Sequence, residues 1–171
     1  YFSEGPAIME ALIRGTIDAV IGSMRLVSPR LSYVPLHEER YWFVAAPEHL
    51  KAQPLNGPDD APAHTLVDTS PSLPLFRYWQ DQAPAEERWQ FGEHQDVGAI
   101  AGIRSWVRAG RGVAVLPEDF VRHDVEAGRL VQVLTHVEPR ADWFRLVWVQ
   151  GHTRTEDLEA FGQFLRGRPL T

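Results

Sequence analysis

The chain has 171 residues, 44% hydrophobic and 11% aromatic, which suffices for one ordinary domain or two small lobes with a buried core. A formal net charge of -6 argues against this segment alone gripping nucleic acid or an anionic membrane surface. The absence of cysteine excludes disulfides, thiolate metal sites and cysteine nucleophiles, and no apolar run approaches the roughly eighteen residues of a membrane span.

In chain order, YFSEGPAIME has no basic region, no long apolar run and no initiator Met, so it reads as neither a signal peptide nor a natural start. The expectation is a piece of a longer protein. GPAIMEALIRG predicts a helix over 5–15: Pro6 suits a first turn, Ile8, Met9, Leu12 and Ile13 recur at helical spacing, and Gly15 is a stop. IDAVIG is a short apolar run of the kind buried in a parallel sheet. A second strand is expected over 41–46, closed by Pro47. The tract 51–76 is crowded with Pro, Asp, Ser and Gly and reads as loop around one short strand, TLVD. FRYWQDQAPAEERW suggests a helix on each side of Pro84. Asp96 is placed to cap a helix over 97–110, with Val97, Ile100, Ile103, Trp106 and Val107 on one face. A strand (112–116), a helix (118–128), two strands (130–134 and 144–149) and an amphipathic helix (155–167) follow. The alternation predicts α/β units with parallel strands.

The last two residues of one predicted helix and the next strand fall in AGRGVAVLP, with Gly110 and Gly112 two residues apart. A phosphate loop needs G-x-x-x-x-G-K-[ST], and a dinucleotide fingerprint needs G-x-G-x-x-G between strand and helix. Here the order is reversed. A helix C-terminus presents carbonyls, which repel phosphate. The pair therefore reads as a structural joint: Gly110 as a left-handed cap and Gly112 as a site of close packing.

No two of His37, His49, His64, His94, His123, His136 and His152 fall at H-x-x-x-H or H-E-x-x-H spacing, so no metal site is expected, and they read as surface or loop residues. G-x-S-x-G is absent. Adjacent carboxylates such as Glu38 and Glu39, Asp59 and Asp60, or Glu86 and Glu87 point apart and read as solvated faces. Trp79, Trp89 and Trp106 read as core or lobe-interface residues. Two hydroxyl-bearing segments end predicted strands: Ser23 after VIG, and DTSPS, with Thr69 and Ser70, after TLV. In open parallel sheets ligands settle outside the carboxyl ends of strands, which makes these a candidate polar pocket. The residues alone leave open the alternative that Thr69, Ser70 and Ser72 only make the turns that Pro71 and Pro74 demand.

The order of these pieces resembles the effector-binding domain of LysR-type transcriptional regulators. LIRGTIDAVIG is similar to the family's L-x-x-G-x-hydrophobic-D-hydrophobic segment, and LSYVPLHEERYWFVAAPEHL to its L…PL element and following strand. GIRSWVRAGRGVAVLPEDFV matches its V-x-x-G-x-G-hydrophobic-L-P signature, with EAGRLVQVL completing the order. The resemblance covers essentially the whole chain. It implies a type 2 periplasmic-binding-protein-like α/β fold: two lobes joined by two crossing strands, lobe I being 1–40 plus 136–171 and lobe II 41–135. It implies that a first strand, a first helix and a winged helix-turn-helix lie upstream of Tyr1. It implies a small-molecule effector between the lobes, with Ser23 and Arg25 in lobe I and Thr69, Ser70 and Asp96 in lobe II as candidate contacts. Arg25 would suit a carboxylate, bound bidentately.

The further expectations are no cofactor, no metal, no catalysis, no membrane and a cytoplasmic location. A homodimer or homotetramer is expected, with the helix from Asp96 onward as a contact, and DNA contacted only through the upstream domain. A solute-binding protein of a transporter is the rival on the same fold, and an enzyme on this scaffold comes third.

Overall fold

The computed structural model describes residues 5–23, 28–166 and 168. The chain divides into two compact units, 1–39 with 142–171 and 40–141, so the return boundary falls six residues later than the 136 expected from the motif order.

The first unit is built on a three-stranded antiparallel sheet in the order β1 (Val20–Gly22), β8 (Asp142–Val149), β2 (Leu31–Glu39). Along β8 the side chains alternate. Val147 packs with Val20 and with Leu12 of helix α1 (Gly5–Ile13), whereas Leu146 and Trp148 pack with Val34 and with Leu158 and Leu165 of helix α6 (Thr155–Leu165). A helix therefore covers each face. Strand β2 was not expected from the sequence, because it contains Pro35. It lies at the sheet edge, and its register shifts between Pro35 and His37, which is where a residue without an N–H is tolerated. Glu39 at its end is buried rather than solvated.

The second unit carries a five-stranded sheet ordered β5 (Glu93–Asp96), β4 (Thr65–Asp68), β6 (Val113–Pro117), β3 (Tyr41–Ala45), β7 (Val131–Gln132). Only β4, β5 and β6 run parallel to one another; β3 is antiparallel to both β6 and β7. The expectation of parallel strands throughout fails for a specific reason. Strand β3 follows β2 after the single residue Arg40, entering from the other unit, so no crossover helix sets its direction.

Aromatic rings fill the core beneath helix α3 (Phe76–Gln80). Phe43 meets Trp79 edge-on at 5.2 Å, Trp79 meets Trp89 at 4.8 Å, and Phe76 meets Phe91 at 5.4 Å. No helix follows Pro84. Trp89 and Phe91 are both buried from extended chain, and the Trp89 indole N–H donates to Glu87 Oε2 at 2.9 Å.

Helices α4 (Ile100–Arg108) and α5 (Glu118–Glu126) are tied by Asp124, whose side chain is 0% exposed. Arg104 Nε and Arg129 Nε each donate to it at 2.6 Å, and Arg108 Nε lies at 3.6 Å. Burial pushes the Asp124 carboxyl upward, but the hydrogen bonds from Arg104 and Arg129 and the charges of Arg104 and Arg108 outweigh it and hold the pKa below the usual 3.8. A depressed carboxylate stabilises the fold above its unfolded pKa and loses that contribution as pH falls through the folded value. Asp124→Asn is therefore expected to cost about 1–3 kcal/mol near neutrality, because the guanidinium groups are part-hydrated. The cost should shrink below pH 4, and urea melts at pH 7 and pH 3.5 check it.

Candidate functional site

The site begins with three parallel strands. Strand β4 has β5 on one side and β6 on the other, and β4 pairs with β5 so that Asp68 stands opposite Asp96. Their C-terminal ends are pinned together by the Val97 N–H, which donates to the Asp68 carbonyl at 3.0 Å. Thr69, Ser70 and Asp96 are thus brought to one edge of the sheet, the edge at which open α/β sheets bind ligands.

The chain leaving β4 is held by a side chain that reasoning from the sequence overlooked. The Asp68 side chain is 0% exposed, and its carboxylate accepts from Thr69 N–H at 2.6 Å, Leu75 N–H at 3.1 Å and Phe76 N–H at 2.9 Å. The Thr69 hydroxyl also donates to it, at 3.3 Å. One carboxylate therefore closes the loop 69–75 and satisfies the first N–H groups of α3. Burial raises the Asp68 pKa above 3.8, against the lowering effect of the backbone donors and Thr69. A carboxylate ending an apolar strand, eight residues before a helix, was the available signal.

Within the loop, Ser70 Oγ and Ser72 Oγ are 2.9 Å apart, Leu73 N–H donates to the Ser70 carbonyl at 3.0 Å, and Leu73 adopts φ 53°. That left-handed leucine costs about 1–3 kcal/mol and persists only because its surroundings over-determine it. Thr69 and Ser70 are half-buried and Asp96 is exposed. Together they present hydroxyl and carboxylate oxygens to whatever approaches this edge.

Asp96 does not cap a helix. It ends β5, Gly98 turns the chain at φ 77°, and α4 starts at Ile100 with Ala99 as an N-cap that makes no side-chain bond. Asp96 pairs in the ladder with Asp68, and this draws it out of the helix. Ser23 follows β1 in the other unit and is half-buried; Arg25 lies outside the described residues.

The glycine joint is structural, as its order predicts. Gly110 sits at φ 71° and closes α4 through Gly110 N–H to Val107 O at 2.9 Å and Arg111 N–H to Trp106 O at 3.3 Å. Among the described residues no group of three or more His, Cys, Asp or Glu converges as a metal site would. No described helix is long and apolar enough to cross a membrane. His64 departs from the surface reading: it is 1% exposed and bonded to His49.

Two α/β units, between which the chain passes at 39–40 and 141–142, have the type 2 periplasmic-binding-protein-like fold. A family model described as the LysR substrate binding domain matches residues 1–169, and the chain belongs to that family. It is 31% identical over 160 residues to the HTH-type transcriptional regulator AbaB of Streptomyces antibioticus, covering 85% of this chain and 50% of that protein. The chain thus spans about half the length of that curated relative. Among solved structures, the CrgA regulatory domain of Neisseria meningitidis, a LysR-type transcriptional regulator, superposes with a TM-score of 0.75 at 22% identity, covering 95% of this chain and 79% of that one. The C-terminal domains of a LysR family protein from Agrobacterium tumefaciens give 0.76 at 19% identity, covering 96% and 78%. Full-length LysG of Corynebacterium glutamicum with bound effector Arg gives 0.72 at 17% identity, covering 95% and 55%. At these identities the structures establish a shared fold.

Proposed function

We propose that the chain is the effector-sensing part of a LysR-type transcriptional regulator, and that the turn after β4 carries effector contacts. The observation that carries the site is the Asp68-pinned loop, which holds Thr69 and Ser70 beside Asp96 at the carboxyl ends of β4 and β5. The hydroxyl and carboxylate oxygens there suit a small polar molecule with N–H or ammonium donors. The reading further keeps Ser23 as a candidate contact and Arg25 as the group that would take an effector carboxylate.

The effector acts by population shift: it moves a conformational equilibrium only by its differential affinity for the two states. On this reading the output passes to DNA through a domain outside this chain, and the protein works in the cytoplasm as a sensor without chemistry or a cofactor of its own. The working form is a homodimer or homotetramer with α4 as a contact; a chain that sediments as a monomer at every concentration would remove that part.

A thermal-shift series with amino acids and small carboxylates tests the site. For a stabilising compound, Thr69→Ala, Ser70→Ala, Ser23→Ala and Asp96→Asn are each expected to weaken binding about threefold to tenfold, the worth of one hydrogen bond. A compound that stabilises all four variants as well as the parent binds elsewhere.

A further inference from the structure

Buried His64 and half-buried His49 form a chain of hydrogen bonds away from the effector turn. His49 lies on helix α2 (Pro47–Ala52), and His64 immediately precedes β4. His49 Nδ1 is 3.0 Å from the Gly110 carbonyl, His49 Nε2 is 2.9 Å from His64 Nδ1, and His64 Nε2 is 3.1 Å from the Pro54 carbonyl. Both ends of this chain are carbonyl oxygens, which only accept. The outer nitrogens must therefore each carry a proton. Two neutral imidazoles carry one proton apiece, and both are then used at the ends. The central contact is left with two lone pairs facing each other, unless a third proton lies between them.

We propose that His49 and His64 share one additional proton, forming a monocationic pair that clasps α2 to the C-terminal cap of α4, and that a second additional proton breaks the clasp. Three hydrogen bonds need three protons. A fourth would place two N–H groups head to head across 2.9 Å, which no rotation in place relieves. The site thus holds one extra proton in its native geometry and excludes two.

Among the described residues, the ring nitrogens of the pair bond to backbone carbonyls and to each other. On α2, Glu48 and Lys51 bind each other at 3.0 Å and are exposed. Past the cap, Arg111 lies over the Trp106 ring at 5.2 Å. In the 3-10 helix Pro58–Ala63, Asp59 is on the same turn as Asp60, which accepts from Asn56 N–H at 2.8 Å. On β5, the Glu93 carboxylate takes the Thr65 hydroxyl at 3.4 Å. Among the described residues none of these groups bonds to either ring. The stabilising partner is the Gly110 carbonyl, at the negative end of the α4 dipole. Burial and the neighbouring His64 hold the His49 pKa below the ordinary 6.5, with the Gly110 carbonyl acting in the opposite sense.

The linkage has a definite sign. Below about pH 6.5 the unfolded chain binds two additional protons on these rings and the native pair binds one. Stability from this pair therefore falls as pH drops below that value, the folded-to-unfolded ratio dropping by up to about tenfold per pH unit.

Nitrogen-15 NMR of the imidazoles in the whole chain reads the protons directly. The expected result is His49 protonated at Nδ1 and His64 at Nε2 throughout, one titration step felt by both rings together, and loss of native signals on further acidification. Two separate steps that leave both rings doubly protonated in a native spectrum would overturn the proposal, as would an unprotonated outer nitrogen or no uptake before unfolding. His49→Asn, whose amide can still donate to Gly110, should flatten the fall in melting temperature between pH 7 and 5.5; an unchanged slope would also overturn it.

Discussion

Replacing Gly112 by alanine is expected to destabilise the 40–141 unit by about 3–5 kcal/mol, combining overpacking against backbone with a disfavoured φ. Gly112 has φ 146°, and a Cβ there would overlap the Thr65 carbonyl oxygen and lie 3.0 Å from Val67 Cγ2. The carbonyl cannot retreat, because β4 is held between β5 and β6 in the parallel ladder. In a chain of this size that cost corresponds to a fall in melting temperature of roughly 10 °C. Gly110→Ala supplies the control. Its φ is 71°, but its nearest neighbour would be His49 Cβ at 3.9 Å, so only the left-handed strain of about 1–2 kcal/mol applies. Equal melting temperatures for the two variants would show that close approach to β4 is not what Gly112 provides.

The second large effect belongs to Asp68. Asp68→Ala removes the acceptor for the N–H groups of Thr69, Leu75 and Phe76. Orphaned buried donors cost about 1–3 kcal/mol each; with partial rehydration of the loop, a total near 3 kcal/mol is expected. Asp68→Asn should rescue little. Its oxygen can keep Thr69 N–H, but its NH2 group then faces Leu75 N–H and Phe76 N–H, donor against donor. The pH dependence has the opposite sign to that of Asp124. The Asp68 pKa is raised, so its contribution is fully present below the unfolded value of 3.8 and declines as pH rises through the folded value. The gap between parent and Asp68→Ala should therefore narrow from pH 4 to pH 7 in urea melts. If the turn carries effector contacts, Asp68→Ala also weakens binding while leaving every contacting side chain chemically unaltered. A variant as stable as the parent at both pH values would show that the carboxylate does not pin the loop.

The legibility of the sequence varied with the range of the forces involved. Helix α1, strand β6 and helix α5 were visible because periodicity, a glycine stop and an apolar run are properties of a few consecutive residues. The ordered motifs added the class of fold and the family. Asp96 misled because an Asp before an apolar-periodic run is the usual sign of a cap. In the structure the ladder to Asp68 claims it, and Ala99 takes the cap position instead. Pro35 concealed β2 because an edge position cannot be read from one strand alone. His49 and His64 looked like loop residues because their contact, and the Gly110 carbonyl 61 residues beyond His49, come together only on folding.

By itself, then, the sequence determined what depends on neighbours in the chain: helices α1, α4, α5 and α6, the short apolar strands, the structural rather than phosphate-binding character of Gly110 and Gly112, and the hydroxyl residues that follow β1 and β4. The tertiary structure alone decided strand direction, the burial of Asp68, Asp124 and His64, and the pairing of Asp68 with Asp96. Each of those depends on hydrogen bonds and desolvation between residues far apart in the chain, and neither leaves a periodic trace in it.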